Sequence, residues 1–210
     1  VTFTADVSAF APDVWQFATV DFATDDLHAG PMVELLNEDF ETWPLTGWTI
    51  DATVDSCNEW LSTRVTGMPN YTGGTGFAAD ANSDFCGYDM DTWMISPVID
   101  LTGYAQATLT FASDFQSYLN LDDAYVDVST DGGTTWVNLL HYDGVDVPGP
   151  RTVSLNLNAY AGQPNVQIRF HYTAPDWDWY WQVDDVKVLV TLGDGLAISD
   201  VHVPAAVLPT

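Results

Sequence analysis

The chain has 210 residues, of which 30 are Asp or Glu and only 4 are Lys or Arg, for a formal net charge of -26. Nucleic acid and anionic membrane surfaces are excluded as partners, because binding phosphates takes basic residues that this chain lacks. Its 47% hydrophobic and 13% aromatic content excludes a disordered chain, and no apolar run approaches the roughly 18 residues of a membrane span.

The opening VTFTADVSAF has no basic patch followed by an apolar stretch, so no signal peptide is read there; a mature fragment or excised domain would look like this. Residues 1–6 and 14–22 read as a hairpin. The segment Asp26-Leu27-His28-Ala29-Gly30-Pro31 has a short echo in Asp200-Val201-His202-Val203-Pro204. The two ends are therefore expected to form a small β-unit of their own: 1–36 as a hairpin segment, 191–210 as a C-terminal strand pairing with it, and 37–190 as the central domain between them.

Within the central domain, strand signals dominate and no convincing helix appears. Leu109 and Phe111 alternate with Thr108 and Thr110, and Ala124, Val126 and Val128 alternate with Tyr125 and Asp127. Turns are expected at Thr130-Asp131-Gly132-Gly133, Asp143-Gly144 and Pro148-Gly149-Pro150. Val153, Leu155 and Leu157 make the next alternating set, then Val166, Ile168, Phe170 and Tyr172. Strands and turns at this spacing, without crossover helices, predict an all-β antiparallel sandwich of the jelly-roll type. In the last strand Trp179, Trp181 and Val183 hold one apolar phase and Val186, Val188 and Val190 the other. The phase slips at Asp184-Asp185, as a β-bulge requires.

The acids divide into 26 Asp and 4 Glu. Asp favours turns and short-armed cation ligation over helical surfaces. Most are read as a solvated surface; a cation site needs only a handful. Paired carboxylates at a bulge repel each other unless a cation lies among them, and oxygen ligands without His or Cys suit calcium. In Asn37-Glu38-Asp39-Phe40-Glu41, Phe40 is expected to face the core, with Asp39 and Glu41 opposite it. Asp80-Ala81-Asn82-Ser83-Asp84 offers further oxygens, Asp80 first among them, but lacks the Gly and Glu of an EF-hand loop. Cys57 and Cys86, the two cysteines, have no neighbours at zinc spacing; a disulfide worth roughly 3 kcal/mol is expected, with two unpaired buried thiols as the alternative.

Asp176-Trp177-Asp178-Trp179-Tyr180-Trp181 holds four aromatics in six residues. One reading makes them core residues of the inner face. The other is a carbohydrate platform of Trp177, Asp178, Tyr180 and Tyr118, where rings stack on a sugar face and a carboxylate accepts hydroxyl hydrogen bonds. His28, His141, His171 and His202 sit in no HExxH arrangement, no Gly-x-Ser-x-Gly elbow is present, and all four are read as lone surface histidines. Lys187 is placed at a solvent-facing edge.

Four stretches, LNEDFETWPLTGWTI (36–50), DMDTWMISPVIDL (89–101), AYVDVSTDGGTTW (124–136) and WQVDDVKV (181–188), resemble in order and spacing the MAM-like jelly rolls of the choice-of-anchor and cleaved-adhesin group, which includes the gingipain adhesin domains. VTFTADVSAFAPDVWQFATVDF and SDVHVPAAVLPT resemble pieces of the fibronectin-III-like domain of secreted subtilisin-like proteases. The resemblance implies a structural calcium between the first strand, bearing Phe40-Glu41, and the last, bearing Asp184-Asp185. Carried over, it points to Glu41 and Asp184, with Asp39 and Asp185 beside them. It also implies a secreted, largely bacterial setting, in which the acceptor Asn70-Tyr71-Thr72 would go unused. The expected function is a non-catalytic accessory or adhesion domain of a secreted multidomain protein. Its partners would be a polysaccharide, an extracellular protein surface or other domains of the parent. The alternative is a carbohydrate-binding module.

Overall fold

A computed structural model describes residues 32–53, 59–118 and 120–192. Residues 1–31 and 193–210 of the expected small end unit, with His28, His202 and Cys57, lie outside the described residues, whereas 33–36 and 191–192, assigned to that unit, belong to strands of the sandwich itself.

The described residues form two antiparallel sheets, the sandwich that the alternation implies. Sheet A runs β3 (Leu61–Ser62), β4 (Ala79–Asn82), β11 (Tyr180–Leu192), β6 (Tyr104–Gln116), β9 (Val147–Asn156), with β1 (Val33–Glu38) also paired to β11. Sheet B runs β2 (Thr49–Ala52), β5 (Met90–Ile95), β10 (Gln167–Ala174), β7 (Asp123–Ser129), β8 (Val137–Asp143). From β4 onward the chain passes repeatedly from one sheet to the other, so each strand's apolar phase meets that of the facing sheet: a jelly-roll sandwich. Leu109 and Phe111, Val126 and Val128, Ile168, Phe170 and Tyr172 are all buried between the sheets. Each such side chain contributes roughly 1.5–3 kcal/mol of transfer free energy. Ring contacts knit the centre: Trp60 lies 5.3 Å from Trp181, and Phe111 lies 5.2 Å from Phe170, both edge-on.

Three expectations need correction. Pro148-Gly149-Pro150 is not a turn but the first half of β9, an edge strand, where proline's missing N–H faces no ladder partner. Among the described residues two one-turn α-helices occur, α1 (Thr63–Thr66) capped by the Ser62 hydroxyl and α2 (Ser83–Cys86) capped by the Asn82 side chain, besides a 3-10 turn at Asn158–Tyr160; none is long enough to leave a periodic signal. Lys187 lies on central strand β11 rather than at an edge, facing outward from sheet A.

The bulge is where the phase slip put it. The β11–β6 register shifts between Asp184 and Lys187, and Asp185 takes a φ of 49°. Val183 on one side and Val186 on the other both reach the core. No described helix is long and apolar enough to cross a membrane.

Candidate functional site

The bulge marks a seam in sheet A. One side of β11 is shared: β4 pairs with Tyr180 to Val183 and β1 pairs with Val186 to Val190. Asp184 falls at the hand-over, where neither strand covers it. Beyond β1 the chain turns at Phe40 (φ 53°), held by its own N–H donating to Glu38 Oε1 at 3.1 Å, and Phe40 enters the core as expected. Glu41 follows, its N–H donating to Asp39 Oδ1. Glu41 Oε1 accepts the Phe77 N–H at 2.7 Å, and Asp184 Oδ2 accepts from Asn70 Nδ2 at 2.7 Å. The loop 70–77 thus ties the two carboxylates to one place. A methyl group at Gly74 would lie 2.0 Å from Asp184 Oδ2, and one at Gly76 would lie 1.8 Å from Glu41 Oε1. The loop is therefore a cradle that glycine alone allows to close.

Burial, with the charges of Asp185 and Glu41 adding to it, pushes the Asp184 carboxyl up to about 6 against the hydrogen bonds from Asn70 and the Asp185 N–H. The groups here are hard oxygens. Lys187 Nζ approaches Asp185 at 3.8 Å, and among the described residues no ion pair brings a basic group to the Glu41 or Asp184 carboxylate. The donor set fits calcium. Asn70, the formal glycosylation acceptor, has its amide committed to Asp184 and its Oδ1 to Thr72.

Asp80 is held elsewhere. It pairs in register with Gln182, which pairs on its other side with Asp114, so a polar row crosses the outer face of sheet A. All three side chains are nonetheless buried, because the loop at 66–72 lies over them: Thr66 Oγ1 donates to Asp80 Oδ2, Gln182 Nε2 to the Pro69 carbonyl and the Tyr71 N–H to Gln182 Oε1. Burial pushes the Asp80 carboxyl up to about 6.

The aromatic segment divides between surface and interior. β11 begins at Tyr180, so the alternation does not extend back to Trp177 and Trp179, which are 62% and 45% exposed. Tyr118 is also exposed, whereas Asp178 and Tyr180 are buried. Trp177 Nε1 donates to Asp84 Oδ1 at 2.6 Å, and Trp179 stacks on Tyr180. The loops thus present Trp177 and Tyr118 without the carboxylate once expected beside them, since Asp178 instead accepts the Tyr118 N–H.

A further constellation escaped the sequence reading. On the outer face of sheet B, register aligns Asp51 with Trp93, Trp93 with His171, His171 with Tyr125 and Tyr125 with His141, one residue from each of the five strands. Tyr125 stacks on His141 at 4.2 Å between ring centroids, and Trp93 meets His171 edge-on at 5.9 Å. Carboxylates anchor the histidines: His171 Nε2 lies 2.7 Å from Asp91 Oδ1, and His141 Nε2 lies 2.6 Å from Asp123 Oδ1. In the row beyond, Arg169 forms a two-nitrogen contact with Asp127 Oδ2 while its guanidinium lies 4.5 Å over the Trp136 ring. Ligand atoms of Asp123, His141 and Asp143 lie within 4.8 Å of one another, a mixed set. His141 and His171 are thus neighbours around one tyrosine, not lone surface residues.

No family model matches the sequence, and no curated protein does. Solved structures do match in fold. The K3 cleaved adhesin domain of Lys-gingipain from Porphyromonas gingivalis is similar over 76% of this chain and 99% of its own, with a TM-score of 0.55 and 22% identity. The K1 domain of the same protein gives 0.54 at 17% identity, over 76% and 98% of the two chains. The carbohydrate-binding module TmCBM61, solved in complex with β-1,4-galactotriose, gives 0.50 at 13% identity, over 74% and 97%. At these identities the likeness is one of fold.

Proposed function

We propose that this chain is a non-catalytic binding domain of a secreted or cell-surface protein, that its ligand is a carbohydrate held across the open face of sheet B, and that a calcium ion between Glu41 and Asp184 stabilises it. The observation that carries the ligand is the five-strand row. Trp93 and Tyr125 offer rings for stacking on sugar faces, and Asp51, Asp91 and Asp123 flank them as hydroxyl acceptors, fixed on rigid strands rather than loops. Adhesin domains and a galactotriose-binding module of the same fold support the general class. A parent protein of the subtilisin-like protease type remains part of this reading, and the full-length sequence tests it.

The exposure of Trp177 and Tyr118 favours a second location, the loop end. A polysaccharide pull-down separates the two. Retention lost in Trp93→Ala and Tyr125→Ala but kept in Trp177→Ala supports the sheet face; the reverse moves the site to the loops. Capture by an extracellular protein such as collagen, without glycan binding, would replace the carbohydrate reading with protein adhesion.

A further inference from the structure

At the end of the sandwich where the β6–β7 loop, the start of α2 and the β10–β11 loop meet, two carboxylates are buried side by side. Asp122 is wholly buried and Asp178 nearly so. Asp122 Oδ2 accepts from the Tyr172 hydroxyl at 2.8 Å and from the Trp179 N–H at 3.4 Å; its Oδ1 accepts nothing. The Asp178 carboxylate beside it takes the Tyr118 N–H, while the Asp178 N–H donates to Ser83 Oγ at 2.9 Å. None of the hydrogen bonds or ion pairs of the described residues brings a Lys, Arg or His to either carboxylate. Two adjacent carboxylates in low dielectric cannot both stay charged without a positive partner.

We infer that Asp122 and Asp178 form a second cation site, taking a hard divalent ion such as calcium that pins together the two loops that carry Tyr118 and the Trp177–Trp179 pair. The site is distinct from the one at Glu41 and Asp184 and does not depend on it. Its oxygens come from Asp122 Oδ1, the Asp178 carboxylate and loop carbonyls or water, a set without nitrogen or sulfur. Burial and the neighbouring Asp178 push the Asp122 carboxyl well above the carboxylate range, so the competing arrangement is one proton shared by the pair.

Calorimetric titration of the full chain carrying Asp184→Ala with calcium separates ion from proton. One calcium per chain is expected, with the binding heat abolished on adding Asp178→Asn. A folded Asp184→Ala chain that takes up no calcium overturns the inference. So does uptake that survives both Asp122→Asn and Asp178→Asn. Should Asp184→Ala not fold, the wild-type chain is compared with Asp178→Asn: loss of one calcium per chain supports the site, and unchanged stoichiometry refutes it. Failure at Glu41 and Asp184 alone would leave a wild-type chain whose calcium uptake is insensitive to Asp184→Ala but abolished by Asp178→Asn.

Discussion

Gly76 shows how much one missing methyl group decides. Its φ of 73° is in the left-handed region, and a Cβ would fall on the Glu41 carboxylate. Gly76→Ala is expected to destabilise the fold by about 1–3 kcal/mol and to blunt its response to calcium; a variant with unchanged melting and calcium response would contradict the cradle. Asp80 makes a prediction of opposite sign. Its folded pKa of about 6 lies above the ordinary 3.8, so the folded state binds the proton more tightly than the unfolded one. Its contribution is most favourable below about pH 4 and declines as pH rises through 6. Asp80→Asn should therefore be more stable than wild type at pH 8, by on the order of 2 kcal/mol, with the advantage vanishing near pH 4. Denaturant unfolding at the two pH values checks this; a loss of stability at pH 8 refutes it.

Among elements, β11 was the most legible. Two apolar phases separated by Asp184-Asp185 announce a bulge in the sequence itself, and Glu41 was reachable through the resemblance of its Phe-Glu pair. The sheet B row was not legible. Alternation says that Trp93, Tyr125, His141 and His171 point outward, but which of them stand side by side depends on pairing register between strands as much as 80 residues apart, such as Asp91 and His171. Nor does alternation reach Trp177 and Trp179, which precede the strand they seemed to begin. Trp93→Ala, on an outward-facing strand position, should lower polysaccharide affinity tenfold or more, about 1.4 kcal/mol, while leaving the melting temperature within a degree or two of wild type. Affinity gel electrophoresis read against thermal melting tests that separation. Equal losses in both would make Trp93 a packing residue.

At the scale of the molecule, a net charge of -26 sets the terms on which any cation effect can be read. Salt alone will stabilise by screening, so chelation must be tested at fixed ionic strength. A calcium ion at a hundred times its Kd contributes about 2.7 kcal/mol, and its removal should lower the melting temperature by roughly 5–10 °C in a chain of this size. An unchanged melting temperature in a metal-stripped sample would dismiss both cation sites. The pairing of β1 with β11 has a mechanical consequence. Val33 stands opposite Val190, so the two connections to the rest of the chain leave the sandwich at one corner, beside each other. Tension through them would peel β1 from β11 pair by pair, like a zip, instead of shearing the ladder all at once. The tear would run from Val33 toward Glu38 and reach next the loop 70–77, whose Phe77 N–H and Asn70 amide hold the Glu41 and Asp184 carboxylates.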